Sequence, residues 1–471
     1  MKVALIRPLC EDETEFAEPL GLEALAGYLL RENIACKIFD RILMKLENQD
    51  FYGAIDQYDP SLIAISITGA EELGDALRLI QLLKQPGRQF AAGGLWVTTA
   101  RAAASAALPG FVTQICGEGE LALAGLAKNL IQPEAKKTSP DHWAVAYRPN
   151  LQTYLKYNKS INIRTARGCP GKCLFCSTPA LPNHLGRYAA RSIKLVVDEI
   201  GSLASRCAQL GQWPVFCFVD DDFGSLDRIE ELTRSLKERR LKVAFFLELR
   251  AATLTGRPFD REQWQAWRDA GLCRVFVGLE SFNVSTLEQW NKPVVPHLLV
   301  EVIREIRKIK IEVEIGYILW HRGSTRQQIF EEIDLLHENG LLTPKAALSR
   351  LIIYPGSDLY SRYGYAGEAV QEPLTPEMEG LYQDMRDRLQ PLYDLWIKGA
   401  LWLPQCAAVA FLSGDETHLQ QLKAILETIK EKTQHRIQNT PTDISPFFHT
   451  TKEELNSLYQ DWLNRTGIDC C

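Results

Sequence analysis

Residues 161–176 read INIRTARGCPGKCLFC, in which a short apolar strand leads directly into a loop with three cysteines. Two glycines and a proline in this loop allow a tight turn that brings backbone amides close to the sulfurs. Three converging thiolates suit an iron–sulfur cluster in which one iron stays open for an exogenous ligand, whereas a four-cysteine site fills every iron. The stretch therefore predicts such a cluster after a β-strand, with Cys169, Cys173 and Cys176 as ligands.

Two other interpretations of the cysteines exist, a structural zinc site and three unrelated thiols. Zinc would require a fourth ligand with its own local spacing, such as a second CxxC or an HxxxH. Neither pattern occurs near residues 169–176. The spacing therefore favours the cluster.

The cysteine spacing, with the aromatic Phe175 directly before the last cysteine, resembles the signature of the radical S-adenosylmethionine (SAM) superfamily. The resemblance implies a [4Fe-4S] cluster whose fourth iron is chelated by the amino and carboxylate groups of SAM, with Phe175 among the SAM contacts. In that family, one electron from the cluster cleaves SAM to methionine and a 5′-deoxyadenosyl radical, which takes a hydrogen atom from an unactivated carbon. The electron would come from an external donor such as flavodoxin or ferredoxin.

Length and composition place the chain among ordinary soluble proteins. Its 471 residues suffice for two or three domains, and its net charge of −6 argues against a nucleic-acid partner. No apolar run has the length of a membrane span, and residues 1–6 indicate a strand rather than a signal peptide. Twelve cysteines without secretory features predict a reducing, cytoplasmic location. Cys470 and Cys471 are either a redox or auxiliary-ligand pair or two idle thiols at a frayed terminus.

Residues 1–130 alternate short apolar strands with amphipathic helices, which predicts a doubly wound, Rossmann-like parallel sheet, and residues 131–160 are interpreted as a linker. The domain resembles the cobalamin-binding domain that precedes the barrel in one large subgroup of radical SAM enzymes. The loops at the carboxyl edge of such a sheet form its ligand crevice, where small residues let a wide corrin lie flat. The predicted cobalamin contacts are Leu20, Gly21, Ser66, Thr68, Gly93, Gly94, Gly117 and Glu118.

The resemblance places a histidine after the second strand as lower ligand of cobalt, but this chain has Asp40 and Arg41 there. The first histidine of the whole chain is His142. We therefore expect cobalamin to be bound without a protein imidazole, that is, His-off. The alternative is a domain that has kept the fold and lost the ligand.

A second series of strands and helices occupies residues 161–360 and predicts a partial (β/α)6 barrel, and a helical region without an assignable motif follows over residues 361–471. In such barrels the chemistry collects on the loops after the strands. Polar or small residues at these ends are predicted to bind SAM: Asp220, Asp222, Glu248, Arg250, Gly278, Glu280 and Ser281. Other interpretations stay open, namely a helix cap for the aspartates and an internal ion pair between Glu248 and Arg250.

The combined pattern predicts a cobalamin-dependent radical SAM enzyme that methylates an unactivated carbon of a small-molecule or peptide substrate. One rival is a radical SAM enzyme that closes a ring, rearranges or oxidises its substrate without methyl transfer. A second rival is a non-catalytic iron–sulfur or corrinoid carrier, which would have no use for acids and an arginine at successive strand ends. A methylthiotransferase acting on tRNA would carry further cluster cysteines and a basic tail, and neither is evident in the sequence.

Overall fold

The computed structural model describes residues 1–10, 17–129, 139–157, 160–181, 187–363, 369–438 and 445–466. Cys470 and Cys471, for which the sequence left two interpretations open, lie outside these residues. The strands are β1 (Lys2–Arg7), β2 (Ala35–Asp40), β3 (Leu62–Ser66), β4 (Gln89–Gly93), β5 (Val112–Ile115), β6 (Ile161–Ile163), β7 (Ala166–Gly168), β8 (Tyr188–Ala190), β9 (Val215–Phe218), β10 (Ala244–Leu249), β11 (Leu272–Glu280), β12 (Glu312–Tyr317), β13 (Ile352–Ile353) and β14 (Val370–Gln371).

The helices are α1 (Leu20–Arg31), α2 (Arg41–Leu46), α3 (Phe51–Tyr58), α4 (Leu73–Leu82), α5 (Leu95–Thr99), α6 (Arg101–Ala107), α7 (Gly119–Ala127), α8 (Leu151–Tyr157), α9 (Ile193–Gln209), α10 (Leu226–Glu238), α11 (Ala251–Thr255), α12 (Arg261–Asp269), α13 (Val284–Gln289), α14 (Pro296–Lys308), α15 (Arg326–Glu338), α16 (Pro344–Ala347), α17 (Asp358–Tyr363), α18 (Pro376–Ser413), α19 (Thr417–Gln438) and α20 (Ser445–Thr466).

These elements form two compact units that do not follow chain order. The first unit comprises Met1–Tyr154, Ala166–Ser192 and Ile353–Val370. The second comprises Leu155–Thr165, Ile193–Ile352 and Gln371–Cys471. The segment with the three cysteines thus belongs to the same unit as the amino-terminal sheet. The domain borders that the sequence suggested, at residues 130, 160 and 360, stay predictions.

The first unit is built on a parallel sheet with the strand order β2-β1-β3-β4-β5. Apolar side chains cover both faces, with Ile6, Ile63 and Phe90 in one core cluster and Leu5 and Leu62 in the other. Two buried faces require strands that are apolar almost throughout, as these are. The predicted doubly wound sheet is confirmed. The order in which successive strands are added reverses between β1 and β3, and such sheets bind ligands at that point.

The second unit contains a parallel sheet with the sequential order β12-β11-β10-β9-β6. Leu247, Leu249, Val275 and Val277 are buried, whereas the other face carries the charged residues Glu248, Arg274 and Glu314 beside aromatic ones. The predicted partial barrel is confirmed, with one difference. The sixth predicted strand, 349–353, joins the sheet only through an isolated parallel bridge between Trp320 and Arg350.

The carboxyl-terminal region is helical, as predicted. Helix α19 packs closely on α18 where Gly399 leaves room, because a Cβ there would lie 2.8 Å from Leu426 Cδ2. Among the described residues, α18 alone has the length and composition to cross a membrane, and half of its most apolar stretch is buried inside the protein. A core helix of a soluble protein satisfies the same criteria, so this is weak evidence for a membrane span.

Candidate active site

Strand β7 leads into the cysteine loop, and its antiparallel pairing with β8 closes the loop at its base. Gly168, the last residue of β7, has a φ of 79°, which glycine adopts without steric cost. Cys169, Cys173 and Cys176 are all partly exposed, and none of them is in a disulfide bond. The backbone N–H of Gly171 donates to Cys169 Sγ at 3.4 Å, so an amide already points at a predicted ligand sulfur, as expected from the glycine content.

Over the part of the chain that the structure describes, no three His, Cys, Asp or Glu side chains converge tightly enough to hold one metal ion. This finding does not test the cluster, because each cysteine of a four-iron cluster binds its own iron and the sulfurs stand apart. It gives no support to the zinc alternative, which requires ligands around a single ion. The residues therefore fit the cluster in their number, accessibility and backbone N–H donors.

Arg167 fastens the cysteine loop to the carboxyl edge of the amino-terminal sheet. Its guanidinium pairs with Glu118 at 2.9 Å and Glu120 at 2.5 Å, in the segment where β5 passes into α7. The same group lies 4.3 Å from the ring centre of Trp143. Glu118, predicted as a cobalamin contact, thus already has an ion-pair partner two residues before Cys169. Sequence reasoning missed Arg167, although its place directly before the glycine and the first cysteine was a usable signal.

A second connection within this unit comes from the loop after β13. Gly356 has a φ of 87°, and a Cβ there would lie 3.2 Å from the Cβ of Thr99 and 3.3 Å from that of Ala180. The backbone N–H of Leu359 donates to the carbonyl oxygen of Leu174 at 3.0 Å. The loop thus contacts both helix α5 of the sheet domain and the cysteine loop, and a side chain at position 356 would separate them.

The carboxyl edge of the sheet has the open, small-residue character that a flat corrin requires. Gly94 has a φ of 109°, and a Cβ there would lie 2.5 Å from the carbonyl oxygen of Ile67, so glycine is required. Nothing lies within 4 Å of a Cβ placed on Gly21, which leaves space at the start of α1. Leu95, directly after the glycine pair, keeps 45% of its surface exposed. These features fit cobalamin.

Other predicted cobalamin contacts take part in local structure. The backbone N–H of Thr68 donates to Glu72 Oε2 at 2.5 Å, and that of Gly117 donates to Thr98 Oγ1 at 2.9 Å. Leu20 is buried at the first position of α1, while Ser66 and Gly93 end β3 and β4 at the same edge. The predicted set thus lies along one edge, although its individual roles stay predictions.

Asp40 stands where related domains have the histidine that binds cobalt, but its carboxylate is used in hydrogen bonds within the protein. Its carboxylate caps α2 by accepting from the N–H groups of Ile42 and Leu43, and it also accepts from Tyr154 Oη at 2.5 Å and Arg7 Nη1 at 3.3 Å. Only 1% of the residue is exposed. Its oxygens are therefore used within the protein.

In the second unit, two of the three consecutive aspartates are buried structural acceptors. Asp220 accepts from the N–H of Thr165 at 2.7 Å and from its hydroxyl at 2.5 Å. Asp222, with no exposed surface, accepts from Arg250 Nε at 2.6 Å and from the N–H of Gly224. Arg250 therefore pairs with Asp222 and not with Glu248. Asp221, which the sequence could not single out, is the exposed member of the three.

Glu248 lies on the polar face of the sheet near the end of β10 and is accessible to solvent. Its pKa is raised to about 7, chiefly by desolvation, which nearby Arg274 opposes and to which Asp221 and Asp220 add. A carboxyl group with this pKa changes charge in the physiological range. Arg274, which the sequence did not single out, pairs with Glu314 of the neighbouring strand.

The predicted SAM turn after β11 has unusual backbone geometry. Glu280 has a φ of 68°, and the pairing of β11 with β12 shifts register between Gly278 and Glu280. Its carboxylate lies over two glycines: a Cβ on Gly278 would be 2.2 Å from Oε1, and one on Gly316 would be 3.4 Å from Oε2. Lys292 Nζ donates to Oε1 at 3.0 Å. The carboxylate is therefore placed at the end of the sheet with one cationic partner.

Ser281 and Phe175 complete the predicted SAM set. Ser281 has no exposed surface, and its hydroxyl donates to Glu332 Oε1 at 2.8 Å. Phe175 is half-buried in the cysteine loop. Both assignments stay predictions. Lys292 and Glu332 were missed because a lysine after one helix and a glutamate inside another carry no sequence signal for a site elsewhere.

A cavity of about 660 Å³ adjoins Glu280 within the second unit. One wall comes from strands β11 and β12, and the other from helices α18 and α19. Its volume is in the range of sites for small molecules. Both walls combine apolar and charged residues. The helices contribute Trp396, Leu403, Leu426, Lys423 and Lys430, and the strands contribute Phe276, Ile315, Arg274, Glu312 and Glu314.

Comparison with protein families finds two matches. Residues 163–336 match the radical SAM superfamily, and residues 13–127 match the B12 binding domain. The first match includes all three cysteines and the second covers the amino-terminal sheet.

Among curated proteins, the chain is similar to bacteriochlorophyllide d C-8(2)-methyltransferase of Chlorobaculum tepidum, with 26% identity over 50% of this chain and 51% of that protein. It is also similar to hopanoid C-2 methylase of Rhodopseudomonas palustris, with 25% identity over 78% of this chain and 68% of that protein. The chain thus spans about half the length of the first of these relatives.

Among solved structures, the cobalamin-dependent S-adenosylmethionine radical enzyme OxsB with aqua-cobalamin bound superposes with a TM-score of 0.72. The alignment covers 99% of this chain and 76% of OxsB at 17% sequence identity. At this identity the likeness shows a common fold.

Proposed function

The chain belongs to the radical SAM enzymes that carry a B12-binding domain, and we propose that within this family it methylates an unactivated carbon of its substrate. One observation carries the proposal: Arg167, two residues before the first cluster cysteine, pairs with Glu118 and Glu120 at the ligand-binding edge of the B12-binding sheet. A carrier that binds the two cofactors independently would not need this connection. A methylase that uses both cofactors on one substrate does.

When bound, the [4Fe-4S] cluster supplies the electron that cleaves SAM, and cobalamin supplies the methyl group. Cys169, Cys173 and Cys176 would hold the cluster, and the N–H of Gly171 would donate to a ligand sulfur. Hydrogen bonds to cluster sulfurs tune the reduction potential. Glu280 would bind a polar group of SAM, since its carboxylate lies at a strand end over two glycines.

The substrate is proposed to be a small molecule or a peptide that reaches the cavity beside Glu280. The cavity of about 660 Å³ is lined by apolar and charged residues on both of its walls. Such a lining suits a ligand with an apolar body and polar substituents.

We propose a flavodoxin or a ferredoxin as electron donor and the cytoplasm as location. None of the ten cysteines that the structure describes is in a disulfide bond, which fits a reducing compartment.

The test is anaerobic purification of the full chain followed by iron, sulfide and corrinoid analysis. We expect about four irons per chain and a retained corrinoid. A variant with Cys169→Ala, Cys173→Ala and Cys176→Ala should lose the iron and form no 5′-deoxyadenosine. If the triple variant keeps four irons and still cleaves SAM, the cluster assignment is wrong.

Product mass then separates methylation from the rival radical chemistry. With SAM deuterated in its methyl group, a methylated product gains one carbon and carries the label, whereas ring closure adds no carbon. Protein that retains no corrinoid under these conditions would contradict the methylase proposal and favour the cobalamin-free alternative.

A further inference from the structure

The turn that follows β11 depends on one buried carboxylate from a distant helix. Glu332, on α15, accepts from Ser281 Oγ at 2.8 Å and from the backbone N–H of Phe282 at 3.3 Å. It also accepts from the hydroxyl of Tyr317, the last residue of β12. Glu332 is 7% exposed, and Ser281 has no exposed surface.

Further hydrogen bonds link the other residues of this turn. Ser281 Oγ accepts from the N–H of Asn283 at 2.9 Å, and the N–H of Phe282 also reaches Tyr317 Oη at 3.3 Å. Asn283 in turn caps helix α13. Desolvation raises the pKa values of both Glu332 and Tyr317. The donors of Ser281 and Phe282 thus converge on Glu332, and the N–H of Asn283 is linked to it through Ser281 Oγ.

Glu280, the residue directly before this segment, has a backbone conformation that needs such support. A non-glycine residue rarely adopts a φ of 68°, and it persists only where the surroundings hold it. One side is held by the N–H of Ile318, which donates to the carbonyl oxygen of Glu280 at 2.8 Å. The other side is the segment that Glu332 binds. This conformation is what directs the Glu280 carboxylate over Gly278 and Gly316.

We propose that Glu332 is a positioning residue for SAM binding: it fixes the turn 281–283 and thereby holds Glu280 in the conformation that presents its carboxylate to SAM. This inference rests on the proposed function of Glu280. It also assigns Ser281 to the support of the turn, since its hydroxyl is buried between Glu332 and Asn283.

The test measures SAM affinity on the cluster-containing full chain, by anaerobic titration, for wild type, Glu332→Gln and Tyr317→Phe. Glu332→Gln keeps the shape of the side chain but replaces one acceptor oxygen by a donor. We expect it to raise the dissociation constant of SAM about tenfold, because hydrogen bonds to a buried charged group are lost. Tyr317→Phe removes one donor and should raise it by a smaller factor.

Two control variants distinguish positioning from a general loss of stability. Glu331→Gln makes the same change at the adjacent, exposed position of α15. Glu230→Gln makes it on α10, where the carboxylate accepts from Trp267 Nε1 at 2.7 Å on the outer helices. Both should bind SAM like wild type, even if Glu230→Gln melts at a lower temperature.

The outcomes are distinct. If Glu332→Gln melts at a lower temperature but binds SAM like wild type, Glu332 is structural only and the inference is wrong. Should Glu332→Gln fail to fold, Tyr317→Phe decides, and an unchanged dissociation constant there overturns the inference. If Glu280→Ala itself leaves SAM affinity unchanged, the proposed function of Glu280 fails instead.

Discussion

At the scale of single residues, the structure resolves which charged groups are used inside the protein. Arg250 was predicted either to bind the carboxylate of SAM or to form an internal ion pair, and its Nε lies 2.6 Å from Asp222. Asp222 is fully buried, while the Arg250 side chain keeps 34% of its surface exposed. Arg250 can therefore stabilise the fold and still present the rest of its guanidinium to a ligand.

Arg250→Ala should lower the free energy of unfolding by about 2 kcal/mol, because a buried carboxylate loses its charged partner. The loss is no larger because Arg250 is partly exposed, so that water can replace its guanidinium in part. Chemical denaturation checks this, with Arg257→Ala as control, since its pair with Asp227 is exposed and should contribute under about 1 kcal/mol. Equal losses of unfolding free energy in the two variants would contradict the structural role of the ion pair between Arg250 and Asp222. Titration with SAM tests separately whether Arg250 also binds the ligand.

The raised pKa of Glu248 makes the free energy of unfolding depend on pH. Its pKa in the folded protein is about 7, raised from 4.5 chiefly by desolvation. The folded state therefore holds the proton more tightly than the unfolded state, and stability falls as the pH rises from 4.5 to 7. Buried His321, whose pKa desolvation lowers to about 4, contributes a slope of the opposite sign below pH 6.5.

The test for Glu248 is therefore a comparison of variants and not one wild-type curve. Unfolding free energies of wild type and Glu248→Gln should converge or cross between pH 4.5 and 7, with the wild type losing relative stability as the pH rises. Parallel curves over this window would show that the pKa of Glu248 is unshifted.

At the scale of elements, the cysteine loop is held by contacts that begin with Arg167. Its guanidinium reaches two glutamates beside β5 and the ring of Trp143, while Gly356 and Leu359 provide a second connection. A loop with two such connections can keep its sulfurs in place without a ligand. This preorganisation is what a cluster with an exchangeable fourth ligand requires.

Arg167→Gln should weaken cluster retention while leaving the sheet intact. It removes the ion pairs of position 167 with Glu118 and Glu120, and we expect faster loss of iron under mild chelation, with circular dichroism unchanged. Lys172→Gln, in the same loop but exposed, is the matched control. If both variants release iron at the wild-type rate, the ion pairs of Arg167 have no effect on the cluster.

At the scale of the whole molecule, periodicity and strand-end residues were sufficient to predict both sheets and the helical end. Apolar strands at regular spacing dictate parallel sheets, and the cysteine motif lies directly after the first barrel strand. What could not be predicted depends on distant pairing. The sequence gives no signal that Arg250 would pair with Asp222, that Glu332 would reach the turn at Ser281, or that the cysteine loop would belong with the amino-terminal sheet.

The distribution of histidines over the whole chain leads to a prediction about cobalt. No histidine occurs before residue 142, and Asp40 is buried as a helix cap. His142 follows the whole sheet in the chain, and its carbonyl oxygen accepts from Arg31 at the end of α1.

We therefore expect cobalamin in this protein to have no protein imidazole as lower ligand. Weak donation from below would leave the reactivity of the upper ligand to the surrounding side chains, among which exposed Leu95 is the apolar candidate. In the cob(II)alamin state, electron paramagnetic resonance should show no splitting by nitrogen. A nitrogen-split signal that persists with cobinamide, which lacks the cofactor's own base, would require a protein histidine and contradict the prediction. His142→Ala would then identify or exclude the one histidine of the described amino-terminal unit, because the splitting would disappear only if His142 were the ligand.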